Sequence, residues 1–302
     1  MRELASLGAE LRTDVLEDVW NYAVGAPSRL ARSRVLLSAE VAARGDVGYR
    51  CERVDIATIA VEMFHLATLP HDDVIDDSGT RRGMGSLPAR YGAPLAAAAG
   101  GLFFGRALTL FARCGQDAVA IAVKAAERVC AGQMLELQDR YDTARTPARC
   151  VEAIRGKTAG MFRLAAELGA VLGGAEGAAR RQLGLYGMAL GIGFQLIDDI
   201  LDLTGDQEQM GKPLGNDLDN GNYTLPVVYA LEEYPKLDAL LREDAPTDNV
   251  VTKVLETAAI ARASADARAW ISQAKDAVWE FPEAQGLLVI ADGELGRLSV
   301  QT

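Results

Sequence analysis

The stretch "IATIAVEMFHLATLPHDDVIDD", residues 56–77, is apolar for most of its length and then packs four aspartates into six positions. Its apolar residues recur at three- and four-residue spacing, the pattern of a helix that crosses a protein core. A second stretch, "LYGMALGIGFQLIDDILDL" at 185–203, repeats the design. Asp72, Asp73 and Asp76 share the i, i+1, i+4 spacing of Asp198, Asp199 and Asp202. A core helix cannot leave carboxylates unpaired without a large desolvation cost, so cations must meet them.

The same periodicity runs along nearly the whole chain, alanine is abundant and alternating β-branched runs are scarce, so the fold class is all-α. "NVVTKVL", 249–255, is the best strand candidate and fits a helix equally well. Turn chemistry is dense at 24–28, 44–48, 78–88, 143–147, 203–222 and 243–249. Thr146 before Pro147, and Thr224 before Pro226, look like helix N-caps with proline in the first turn. No Ser- or Pro-rich linker divides residues 1–302, which are read as a single domain.

A chain of 302 residues, 49% hydrophobic and 24% charged, describes a soluble globular protein with a sizeable core. Its net charge of −11 argues against a nucleic-acid surface. Cys51, Cys114, Cys130 and Cys150 form no CxxC pair and have two histidines for company, so reduced cysteines in a cytoplasm are expected rather than a zinc site or a disulfide framework. The N-terminus shows no export signal. The longest charge-free runs, 91–105 and 182–197, fall short of the ~20 apolar residues of a membrane span, and read as buried helices.

On a helix, the i, i+1, i+4 spacing puts Asp72 and Asp76 one turn apart with Asp73 beside them, so three carboxylates are expected to converge. Hard divalent cations resolve such a conflict, and Mg²⁺ prefers one or two carboxylates plus a substrate phosphate. Bases flank both clusters: Arg81 and Arg82 after the first, Lys212 after the second, and Lys157 with Thr158 between them. Guanidinium groups take phosphate bidentately. Two metal-like clusters with bases beside apolar walls suit a diphosphate leaving group, whose departure generates a cation protected in a dry pocket.

With "HDDVIDDSGTRRG", "KTAGMF", "GFQLIDDILDLTGD", "GKPLGNDLDNGNYTLP" and "FPEAQGLLVIADGELGR" in place, the sequence resembles the trans-isoprenyl diphosphate synthases, the polyprenyl synthetase family, nearly end to end. The resemblance implies an isoprenoid synthase fold, an antiparallel helix bundle around a deep cavity, commonly a cytoplasmic homodimer. It implies that Asp72, Asp73, Asp76 and Asp198, supported by Asp199 and Asp202, hold three Mg²⁺ ions against an allylic prenyl diphosphate. Arg81, Lys157 and Lys212 would grip that diphosphate with Gln195 nearby, and Arg82 and His65 would bind isopentenyl diphosphate. Thr158 and Gln195 would steady the allylic cation. His71 is read as a supporting group, and Phe194 as core or cavity wall.

Two places depart from the family pattern. "PSRLARS" stands where the family has Gly-Gly-Lys-x-x-Arg-Pro, leaving Arg29 and Arg32 as the cations, and Asn222 replaces a lysine. An altered isopentenyl site keeps open a class I terpene cyclase, or a prenyltransferase with another acceptor; a silent subunit of a heteromeric synthase is a third reading. Product length is expected to depend on Phe64, Ala67 and Thr68, one and two turns before Asp72. A small group at Ala67 favours geranylgeranyl or longer products.

Overall fold

The computed structural model describes residues 14–26, 28–48, 51–81, 83–205, 214–243 and 245–299. Helices α1 (Asp14–Gly25), α2 (Ala31–Arg44) and α3 (Glu52–Ile75) lead to a two-residue antiparallel pair, β1 (Thr80–Arg81) and β2 (Met84–Gly85). Then come α4 (Leu87–Tyr91), α5 (Ala93–Cys114), α6 (Gln116–Gln138), α7 (Pro147–Lys157), α8 (Ala159–Leu172) and α9 (Gly177–Thr204). The last part holds α10 (Asn216–Asp219), α11 (Leu225–Glu233), α12 (Leu237–Arg242), α13 (Thr247–Leu255), α14 (Ala259–Val278) and α15 (Gln285–Ser299). The all-α expectation is met.

Helix α3 packs along α5, α2 on α8, α6 on α7, and α9 against both α8 and α14. Aromatic side chains fill the larger gaps. Phe64 meets Phe104 at 5.4 Å and Phe111 at 6.2 Å between ring centroids, and Trp20 of α1 meets Phe103 edge-on at 5.5 Å. Tyr186 of α9 donates to the Leu287 carbonyl at 2.7 Å, fastening α15 to the core. Both acidic motifs therefore end long helices that the packing holds rigid.

Residues 249–255 are helical in α13, because Val250, Val251 and Val254 form one buried face at helical spacing. Thr146 caps α7, its hydroxyl accepting from the Arg149 amide at 3.3 Å. Thr224 occupies the cap position of α11 without a side-chain cap bond. By length and composition alone α5 and α9 are each long and apolar enough to cross a membrane, since α5 continues past Arg106 to Cys114. In α9, 72% of the apolar window is buried inside the fold, against 39% in α5, so α5 keeps one side uncovered.

Candidate active site

Two close approaches fix Lys157 and Thr158 between the acidic helices. A Cβ at Gly132 of α6 would collide with the Lys157 backbone, and one at Gly191 of α9 would lie 2.5 Å from Ala159 Cα. Only glycine lets these backbones meet. One turn beyond each contact a polar pair forms: Lys157 Nζ donates to Glu136 Oε1 at 2.6 Å, and Thr158 Oγ1 donates to Gln195 Oε1 at 2.7 Å. Gln195 Nε2 in turn donates to Asp199 Oδ1 at 2.9 Å. Burial works against the Lys157 ammonium, but Glu136, Asp72 and Asp76 outweigh it and hold its pKa above the ordinary lysine value. Lys157 thus faces the first motif while its neighbour Thr158 reaches the second.

In the first motif Asp72 and Asp76 stay one turn apart and within electrostatic reach of each other, whereas Asp73 is engaged by an arginine of its own. Pro70 denies α3 one hydrogen bond, and the helix ends at Asp76, followed by Asp77 at φ 46°. Asp73, 2% exposed, turns to Arg81, whose Nε donates to its Oδ1 at 2.7 Å. Asp76 pairs with Arg140, which also donates to the Ile75 carbonyl at 3.3 Å. Burial pushes the Asp72 carboxyl up, with Lys157 and Arg81 pulling against it.

In the second motif, Asp198 pairs with Arg297 of α15. Asp202 Oδ2 accepts from the Asp217 amide at 3.1 Å, and its carbonyl accepts from Gly215 at 2.8 Å, which draws α10 onto the motif. Burial pushes the Asp199 carboxyl well up, aided by Asp217, Asp198 and Asp202 and opposed by the Gln195 hydrogen bond. The rings of Phe162 and Phe194 lie 5.1 Å apart, with the Arg32 guanidinium 5.1 Å from the former and that of Arg297 5.2 Å from the latter. Phe194 is therefore a packed ring beside the motif, and Arg32 is drawn towards it.

Arg29 is exposed on the segment before α2 and makes no bond to the acidic motifs. His65 is half-buried on the Asp72 side of α3, and its carbonyl accepts from Thr68 Oγ1 at 2.9 Å. Arg82 and Lys212 lie outside the described residues. Glu136, Arg140, Asp217 and Arg297 were not singled out by the sequence. Arg297 lies within the quoted C-terminal stretch, and Glu136 one turn after Gly132, but nothing in spacing alone links either to an aspartate.

Among the described residues no three His, Cys, Asp or Glu side chains gather as a ready cage for an ion. The donor set nevertheless suits Mg²⁺, which completes its shell with water and substrate phosphate around one or two carboxylates. Half-buried Asp72 and buried Asp199 are acids raised by burial, whose ionised form a divalent cation would favour.

Residues 13–258 match the family model described as Polyprenyl synthetase. The chain belongs to the polyprenyl synthetase family. It is 36% identical over 248 residues to the heptaprenyl diphosphate synthase component 2 of Geobacillus stearothermophilus, covering 80% of this chain and 78% of that protein. It is 32% identical over 298 residues to the geranylgeranyl diphosphate synthase of Methanosarcina mazei, covering 95% and 91%. A crystal structure of polyprenyl synthase from Caulobacter crescentus, complexed with calcium and isoprenyl diphosphate, superposes with a TM-score of 0.90 at 27% identity, covering 97% and 92%. The chain is accordingly a transferase of the trans-polyprenyl diphosphate synthase kind, in a family that generally uses Mg²⁺.

Because burial raises the folded Asp199 carboxyl above its unfolded value, folding favours the protonated form. Its contribution is fully present below the ordinary carboxylate range and is lost as pH rises through the raised folded value. Asp199→Asn removes that loss. Without added metal at neutral pH its Tm, followed by circular dichroism, should exceed the wild-type value by roughly 2–4 °C per kcal/mol recovered, and the gain should vanish in acid. A Tm equal to or below wild type at neutral pH contradicts this account.

Proposed function

We propose that this chain condenses an allylic prenyl diphosphate with isopentenyl diphosphate, releasing diphosphate and forming a trans-polyprenyl diphosphate of geranylgeranyl length or longer. The observation that carries the reading is the linkage of both acidic motifs through adjacent residues, Lys157 beside Asp72 and Thr158 bonded through Gln195 to Asp199. Asp72, Asp76 and Asp198, with Asp73, Asp199 and Asp202 behind them, would hold the ions, three by family precedent. Bound there, Mg²⁺ neutralises the departing diphosphate. Lys157 adds a half-buried positive charge to that group, and Arg81 another beside Asp73. Thr158 and Gln195 turn oxygen atoms towards the carbon left positive, while Phe162 and Phe194 keep water from it. Attack by the isopentenyl double bond and loss of a proton complete the reaction.

Labelled isopentenyl diphosphate, incubated with Mg²⁺ and allylic primers of increasing length, should give elongated products. Asp72→Asn or Asp198→Asn should lower kcat/KM at least about a hundredfold, or about 2.7 kcal/mol. One observation favours a second acceptor: Asn222, in place of the family lysine, accepts from the buried Arg145 at 2.8 Å. Cyclic or alcohol products without elongation would establish that reading, and no turnover the silent subunit.

The growing chain would run along α3 until it meets the Phe64 and Phe104 rings. Ala67 is buried where α3 touches α5, its carbonyl 3.0 Å from where a Cβ on Gly100 would fall. Phe104→Ala should lengthen the product by at least about one isoprene unit. Ala67→Phe should shorten it and lower the Tm, because α5 must move. An unchanged product spectrum in both variants removes the path along α3.

Homodimerisation belongs to this reading, through α5 and α6. Gly101 and Gly105 are exposed on α5, and among the described residues no neighbour outside the local helix backbone lies within 4 Å of a Cβ built on either. A mid-helix glycine costs roughly 0.5–1 kcal/mol relative to alanine, so a reason outside the protomer is needed. Exposed Val123, Met134 and Leu137 on α6 extend the apolar face. Light scattering should report a dimer, and Gly105→Glu a folded monomer; a monomeric wild type would sink this assignment.

A further inference from the structure

Among the described residues, Arg81, Arg140 and Arg297 are bonded to motif carboxylates, and they are not equivalent. Asp73 is 2% exposed and one of its oxygens is gripped by both Nε and Nη2 of Arg81. Asp76 and Asp198 are more open, with 23% and 38% of their side chains exposed, and their partners come from segments carrying no acidic motif. Arg140 stands two residues after α6, and Arg297 in the last turns of α15, beyond the stretch that the family model matches.

Each of these two has a second group to rest on. Arg297 Nη1 donates to Glu294 Oε2 at 2.8 Å, and its guanidinium lies 5.2 Å from the Phe194 ring centre. Arg140 keeps the Ile75 carbonyl at the end of α3, where a guanidinium also meets the negative end of the helix dipole. Letting go of the aspartate would leave Arg297 on Glu294 and the Phe194 ring, and Arg140 on the Ile75 carbonyl. Asp76, at the cap of α3 with φ −95° and ψ 4°, keeps its N–H on the Asp72 carbonyl at 2.9 Å, so the helix end and Arg140 together aim its carboxylate.

We infer that Arg140 and Arg297 are positioning residues that compete with metal ions for Asp76 and Asp198, holding each carboxylate in place and exchanging it for an ion when the diphosphate arrives. The inference rests on the reading of the acidic motifs as a metal site. A carboxylate oxygen bonded to a guanidinium is a poorer ligand, so metal affinity should be set partly by the strength of these two ion pairs. Because loading at Asp198 releases Arg297, it also loosens α15 from α9.

The test is Mn²⁺ binding to the full-length chain, read from the electron paramagnetic resonance of free Mn²⁺, with and without inorganic pyrophosphate. Arg140→Gln and Arg297→Gln should each bind Mn²⁺ about five- to tenfold more tightly than wild type without pyrophosphate, about 1–1.4 kcal/mol. Should a glutamine variant fail to fold, Arg140→Lys or Arg297→Lys, which keeps the charge and loses the forked geometry, should still bind roughly threefold more tightly. Affinity unchanged within about twofold, or weakened, in the folded variants overturns the competition. A wild-type chain that binds no Mn²⁺ under either condition would remove the metal-site reading as well, a result distinguishable from the first.

Discussion

The contact between Lys157–Thr158 and the two acidic helices governs the arrangement of the site. Adjacent residues in a chain are separated by a few ångströms, so when Lys157 answers Asp72 and Glu136, Thr158 cannot be far from them. Its hydroxyl is bonded to Gln195, one turn before Asp199. Two acids over a hundred residues apart are thereby held in a common frame by one dipeptide. The frame depends on glycine where α6 and α9 approach that dipeptide, since any side chain there would push a helix and its acid away.

Charge is balanced locally in a chain that is acidic overall. Asp73, Asp76 and Asp198 each have an arginine, whereas half-buried Asp72 and buried Asp199 have no arginine bond among the described residues and are pushed towards the protonated form by burial. Neutral hydrophobic residues at these places would stabilise the fold more, because buried ion pairs seldom repay their desolvation. Acids retained at such a cost belong to function, the familiar exchange of stability for a working site.

The helices and the two motifs were legible in the sequence because both are local: apolar periodicity gives the first and side-chain spacing the second. The partner of Asp73 was not, since Arg81 reaches it only through the turn that the chain makes after Asp76. Arg140 and Arg297 were invisible for a different reason. Their partners lie 64 and 99 residues away, and no pattern along the chain records which surface arginine the fold will turn inwards. The segment 249–255 could have been strand or helix on periodicity, and burial of Val250, Val251 and Val254 against the core settles it as helix.

The departure at Asn222 also acquires a physical reason. Arg145 is 6% exposed, and its Nη1 donates both to Asn222 Oδ1 at 2.8 Å and to the Tyr223 carbonyl at 2.9 Å. Asp139 lies on the other side of Arg145 at 3.4 Å, itself held by Arg149. A lysine at 222 would set a second cation against a buried guanidinium whose one nearby carboxylate is already shared. Asparagine offers an acceptor instead. The backbone N–H of residue 222 donates to the Asp217 carbonyl at 2.8 Å, and the Asp217 backbone N–H donates to Asp202 Oδ2 at 3.1 Å, so the same position ties Arg145 to the second motif. Through its side-chain oxygen and its backbone N–H, residue 222 supports the loop beneath the second acidic motif.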